Sequence, residues 1–247
     1  MKRFPPLLVL LLVPALLFGC ADGDHANHDG DQSEHTPTAQ ADPAVAEWQV
    51  LFDGTTTDHW RGYKRDDLPG NWGIEDSTLA FTPGGDDGGD IISKDQFENF
   101  ELALEWKISE GGNSGIFFNV VEGDEYGAVY ETGPEMQVLD DAAHADGDIE
   151  KHRAGDLYDL ISCSEVTVRA PGEWNEVRIV LNNGHLEQWL NGTKVVETEM
   201  WTEEWDAMVA GSKFNEMPGF GKARSGHLAL QDHGDKVWYR NIKVRAL

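Results

Sequence analysis

Phe100, Leu102, Leu104, Trp106 and Ile108 alternate with Glu101, Ala103, Glu105, Lys107 and Ser109. Strict alternation of this kind suits a β-strand with one face in a core, because successive strand side chains point to opposite sides. It predicts a half-buried antiparallel strand. Similar signals recur along the chain. Asn71 to Phe81 predicts a hairpin turning at Asp76-Ser77. Asn113 to Val121 predicts a strand with Ile116 and Phe118 on one face and Phe117 on the other. Glu176 to Leu181 and His185 to Leu190 flank Asn182-Asn183-Gly184, whose residues tolerate the positive φ of a tight hairpin. Asn191-Gly192 makes a second turn into Lys194 to Glu197. Gly226 to Asp232 and Lys236 to Val244 predict a last hairpin around His233-Gly234-Asp235. Thr202 is placed to cap one short helix over Glu203 to Phe214.

About ten or more strands in one domain, with no βαβ alternation, imply an all-β, two-sheet antiparallel jelly-roll or lectin-like sandwich with one short helix. Gly84-Gly85 and Gly88-Gly89 sit among Asp86, Asp87 and Asp90 and would repel a phosphate. The nine tryptophans suit a large core or sugar-stacking platforms.

The first residues read as a targeting segment. Lys2 and Arg3 precede an apolar run, Leu7 to Leu17, interrupted by Pro14, and then Leu17-Phe18-Gly19-Cys20. Such a run is short for a membrane span. Apolar-x-small-Cys predicts a lipoprotein signal peptide over 1–20 and lipidation of Cys20. That implies a bacterial cell-envelope protein, lipid-anchored and facing the periplasm or the outer surface. Residues 21–46 are poor in large apolar side chains and predict an acidic tether. His25, His28 and His35 lie there without fixed geometry for a metal. Residues 47–247 form the folded domain. Lipidation of Cys20 leaves Cys163 alone, so stability must come from a core. The formal charge is −26, and loss of Lys2 and Arg3 makes it more negative. Such a surface disfavours nucleic acid and anionic lipid.

Gly133-Pro134-Glu135-Met136-Gln137-Val138-Leu139-Asp140 reads as a short strand. Alternation sets Glu135, Gln137 and Leu139 on one face and Met136, Val138 and Asp140 on the other. Acids and an amide on such a strand mark either a polar, sugar-binding sheet face or a solvated edge.

Several segments together resemble the bacterial 3-keto-disaccharide hydrolase family, whose members are also described as 3-keto-glucoside 1,2-lyases and 3-keto-2-hydroxy-glucal hydratases. They are Val50-Leu51-Phe52-Asp53-Gly54 with Trp60, Asn113-Ser114-Gly115-Ile116-Phe117-Phe118 and the Gly133–Asp140 strand. Asp156-Leu157-Tyr158-Asp159-Leu160-Ile161 and Gly172-Glu173-Trp174-Asn175-Glu176 follow. Gly226-His227-Leu228-Ala229-Leu230-Gln231-Asp232-His233-Gly234 and Val237-Trp238-Tyr239-Arg240-Asn241-Ile242 complete the order. The resemblance implies a concanavalin A-like sandwich acting on 3-keto-glucosides or 3-keto-disaccharides. A ketone at C3 acidifies the C2 proton. A base removes it, the C1 substituent leaves, and water can add to the glucal. The site then needs a base near C2, an electrophile near the C3 oxygen and an acid near the leaving oxygen. The matching segments offer Glu135, Asp140, His144, Tyr158 and His233 as catalytic candidates, and Asn113, Gln137 and Gln231 as substrate-binding ones. Glu135 with His144 could also hold a divalent metal as electrophile.

Two other readings compete. A laminarinase-type retaining glycoside hydrolase would pair Glu135 with Asp140, but plain alternation separates them, and retention needs carboxyls ~5 Å apart. A non-catalytic carbohydrate-binding lipoprotein would need only aromatic platforms with Asn and Gln.

Overall fold

The computed structural model describes residues 46–247. The predicted leader over 1–20, Cys20 and all but the last residue of the 21–46 tether lie outside the described residues. Thirteen strands follow: β1 (Gln49–Phe52), β2 (Trp60–Gly62), β3 (Trp72–Glu75), β4 (Thr78–Phe81), β5 (Ile91–Phe97), β6 (Phe100–Ile108), β7 (Asn113–Val120), β8 (Glu135–Leu139), β9 (Asn175–Asn182), β10 (His185–Leu190), β11 (Thr193–Glu199), β12 (Gly226–Leu230) and β13 (Val237–Ala246). One α-helix, α1 (Glu203–Ala210), separates β11 from β12.

The strands form two antiparallel sheets, as the alternation predicts. The eight-stranded sheet runs β11-β10-β9-β6-β13-β4-β3, with β1 added beside β13. The five-stranded sheet runs β2-β5-β12-β7-β8. Three two-residue turns set the hairpins, and each has positive φ at both positions: Asp76 (48°) and Ser77 (60°), Asn183 (52°) and Gly184 (98°), Asn191 (51°) and Gly192 (85°). Mirror-image turns of this kind match the twist of the strands they join.

The core fills the space between the sheets. Leu102, Leu104, Trp106 and Ile108 of β6 meet Ile116 and Phe118 of β7 and Met136 and Val138 of β8 in one buried cluster. A hydroxyl pair ties the layers, with Ser114 Oγ 2.8 Å from Tyr239 Oη. A smaller cluster of Ile92, Phe117, Val120, Val129 and Ala229 lies apart from it. β7 is therefore buried on both faces.

Two expectations are corrected. Gly226–Asp232 and Lys236–Val244 are not a hairpin: β12 pairs with β5 and β7, whereas β13 pairs with β6, β4 and β1. β12 is buried throughout and needs a strand on each side, which leaves β13 to the other sheet. The His233-Gly234-Asp235 segment is the corner between them. It is pinned where Gly89 N–H donates to Asp232 Oδ2 (2.7 Å) and Asn113 N–H to Asp235 Oδ2 (3.1 Å). The helix is also shorter than predicted. Thr202 caps it by accepting from Trp205 N–H (3.1 Å), but it ends at Ala210. Ser212 then accepts from Phe214 N–H (3.1 Å) and starts a separate 3-10 turn, Lys213–Glu216.

Candidate active site

A cleft of about 430 Å³ lies beside β7 and β8 of the five-stranded sheet. The period of two sends Met136 and Val138 into the core and leaves Glu135 and Gln137 on the cleft side. The outer edge of β8 is closed by the following loop rather than by water. Gln137 N–H donates to Asp156 O (3.1 Å), Gly155 N–H to Gln137 O (3.0 Å) and Tyr158 N–H to Glu135 O (3.0 Å). This pairing sets Tyr158 next to Glu135.

Glu135 is 6% exposed, and among the described residues its carboxyl group has no hydrogen-bond donor. Burial pushes its pKa up to about 8; Lys213 opposes the rise, and the charges of Asp90 and Asp146 add to it. At neutral pH the group is therefore mostly protonated. Gly115 makes room for it, since a Cβ there would sit 2.1 Å from Glu135 Oε1. Burial raises Asp90 too, to about 6.

The walls supply donors and acceptors. Gln137 Oε1 accepts from Val138 N–H (3.1 Å), which leaves its amide hydrogens to donate. Asn113 Oδ1 and Gln231 Oε1 line the cleft region as buried atoms without a partner. Orphaned acceptors of this kind are costly unless a ligand donates to them. Gln231 lies one residue past β12, yet its N–H still bonds Gly115 O (3.0 Å). His233 lines the same cleft from the corner segment. His144 is outside the lining but packs edge-on to His233, with ring centroids 6.2 Å apart. Its Nδ1 accepts from Asp146 N–H (3.1 Å), so a neutral ring carries its proton on Nε2.

Lys213 was not among the sequence candidates. Its ammonium stands 3.9 Å above the Tyr158 ring, and His152 stacks on Tyr158 at 4.3 Å. Asp159 fastens the group: Oδ2 accepts from Lys213 N–H (2.7 Å), and Oδ1 lies 3.2 Å from His152 Nε2. Burial holds the Lys213 ammonium below the usual lysine range, against the pull of Glu135, Asp159 and Asp146. Burial raises the Tyr158 phenol, so it stays a donor; its Oη is 3.4 Å from Asp146 Oδ2. The signal for Lys213 was weak: a lysine just after Ser212, a residue type that starts helical turns. Tyr130 and Met217 also line the cleft and had no sequence signal.

Asp140 has another evident duty. Its Oδ2 accepts from Gly111 N–H (2.8 Å) and its Oδ1 from Ala142 N–H (3.2 Å), and it does not line the cleft. The strand stops at Leu139, and Asp140 ties the turns on either side. The Glu135 and Asp140 pair of a retaining hydrolase is therefore not assembled in the cleft. Glu135 and His144 likewise do not form a metal-ligand cluster. Among the described residues, such a cluster is His185, Glu187 and Glu197 on the eight-stranded sheet, and Lys194 already contacts both acids, at 3.2 and 2.7 Å.

The cleft can thus donate protons from Glu135, Tyr158 and Lys213, accept one at His233, and hold hydroxyls with Asn113, Gln137 and Gln231. Residues 47–245 match the profile of the 3-keto-alpha-glucoside-1,2-lyase-like domain. A Bacteroides thetaiotaomicron protein named 3-keto-disaccharide hydrolase is 38% identical over 225 residues, covering 80% of this chain and 78% of that one. A crystal structure from Parabacteroides distasonis, of a candidate glycosyl hydrolase, is 31% identical with a TM-score of 0.74, covering 81% and 94% of the two chains. A Bacillus subtilis protein of unknown function with a galectin-like fold aligns at TM-score 0.55 and 12% identity over 83% and 96%, which supports the sandwich alone.

Proposed function

The chain belongs to the 3-keto-alpha-glucoside-1,2-lyase-like family, and from that premise we propose that it is an enzyme that cleaves 3-keto-disaccharides by elimination. His233 takes the C2 proton of the 3-keto sugar. The negative charge develops on the C3 oxygen, where Lys213 and the Tyr158 hydroxyl stabilise it. The C1–O bond then breaks, a C1=C2 double bond forms, and Glu135 gives its proton to the leaving oxygen. Addition of water at C1 and a proton at C2 completes net hydrolysis.

The observation that carries this reading is the Glu135 carboxyl: buried, without a hydrogen-bond donor among the described residues, held protonated near neutrality, and close enough to Lys213 to feel its charge. A carboxylic acid tuned upward by burial is suited to donate a proton at neutral pH. Asn113, Gln137 and Gln231 bind the sugar hydroxyls, and His144 supports His233 by edge contact.

Cys20, acylated and left as the first residue once residues 1–19 are cleaved off, would anchor the enzyme in the bacterial cell envelope. The sequence Leu17-Phe18-Gly19-Cys20 supports this. A Cys20→Ser variant then loses labelling by a fatty-acid probe; unchanged labelling would remove the anchor.

The enzyme is tested by incubation with 3-keto-trehalose, a 3-keto-β-glucoside and the unoxidised parents. Release of sugar from a keto substrate, with a transient glucal absorbance, is expected. Equal turnover of the parents would overturn the elimination route, because their C2 proton is not acidified.

A further inference from the structure

The cleft has a buried floor and an open mouth. Glu135 and Gln137 on the floor are 6% and 1% exposed. Tyr130 lines the same cleft and is 42% exposed, more than any other aromatic side chain among the described residues. Its backbone is nevertheless fixed. Val129 beside it is fully buried, Gly133 N–H donates to Val129 O (2.9 Å), and Gly221 N–H donates to Thr132 O (2.9 Å).

Several other half-exposed aromatics have a ring face occupied. Trp48 lies under Lys243 and Arg245, and Trp174 under Lys107 and Arg240. Tyr158 is held between Lys213 and His152. Among the described residues no lysine or arginine covers Tyr130. Tyr130, on a fixed backbone at a polar cleft, leaves part of its ring's apolar surface in water.

Resting on the 3-keto-glycoside reading above, we infer that Tyr130 is the stacking platform for the leaving half of the substrate, and that this half is a pyranose ring. The reasoning is geometric. C2 of the keto sugar must reach His233, its C3 oxygen Lys213 and Tyr158, and its glycosidic oxygen Glu135, so that ring fills the cleft over the floor. The C1 substituent then projects toward the mouth, where Tyr130 stands. The apolar C–H face of a pyranose gains contact with the phenol ring, whereas a methyl group is too short to cover it. Tyr130 touches the leaving group and no reacting atom, so it sets preference among substrates.

The test compares Tyr130→Ala and Tyr130→Trp with the wild type on 3-keto-trehalose and on methyl 3-keto-α-glucoside. In Tyr130→Ala, kcat/KM for the disaccharide is expected to fall roughly tenfold further than for the methyl glycoside, mostly through KM. Tyr130→Trp is expected to restore the disaccharide preference, which a merely structural role would not produce. Equal losses on the two substrates, or no loss on either, would overturn the stacking role. A wild-type enzyme that cleaves neither substrate would instead remove the 3-keto reading, and the subsite with it.

Discussion

Glu135→Gln separates the carboxyl from its shape. In the folded protein the Glu135 pKa is raised from its ordinary 4.5 to about 8. The folded state therefore binds the proton more tightly than the unfolded chain. Stability from this group is fully present below pH 4.5 and is lost as pH rises through 8. A difference of about 3.5 in pKa, at ~1.36 kcal/mol each, gives an upper bound of ~5 kcal/mol lost above pH 8. Glutamine cannot ionise, so the variant lacks this loss. Urea midpoints measured from pH 4 to 9, at constant slope, report it. The wild type is expected to lose stability relative to Glu135→Gln as pH climbs, most steeply between 5 and 8. Turnover in the variant should drop ~10²- to 10⁴-fold, the range for loss of a general acid. Parallel stability curves for the two proteins would refute the burial argument. Near-normal turnover would leave Glu135 as a binding group only.

Other substitutions probe the neighbours. Gly115→Ala places a Cβ 2.1 Å from Glu135 Oε1 and 2.9 Å from Phe117 Cε2, so the carboxyl must turn away. Expected are a ~10²-fold fall in kcat and a cost of ~1–3 kcal/mol in chemical denaturation. Lys213→Met removes a charge that holds the Glu135 pKa down. It should lower kcat ~10²- to 10³-fold and move the basic limb of the pH–rate profile to higher pH. Asp140→Ala strips the partner from Gly111 and Ala142 N–H groups. It should cost ~1–3 kcal/mol in a thermal melt while the folded fraction keeps its kcat/KM.

What the sequence made readable depended on range. Strand β6 and the turns at Asn183-Gly184 and Asn191-Gly192 are local patterns, and they stand as expected. The face shared by Glu135 and Gln137 follows from strand period alone. The β12–β13 connection misled because a sheet-to-sheet corner uses the same Gly and Asp chemistry as a hairpin turn. Only the need of β12 for neighbours on both sides separates the two, and that is a tertiary fact. Asp140 looked like part of the site because it ends the polar strand, but the strand stops one residue earlier and the carboxylate turns to Gly111. Lys213 was hidden for the opposite reason: its place beside Glu135 comes from a turn far along the chain, fixed by Ser212 and Asp159.

The most direct measurement is the fate of the C2 hydrogen. The enzyme is run on 3-keto-trehalose in deuterated water, and the released 3-keto-glucose is examined by NMR at early times, against preformed 3-keto-glucose as the exchange control. Proton removal at C2 followed by hydration predicts one solvent deuteron at C2 of the newly released sugar, above the control. Release of 3-keto-glucose with C2 still fully protonated would contradict elimination and point to direct displacement at C1.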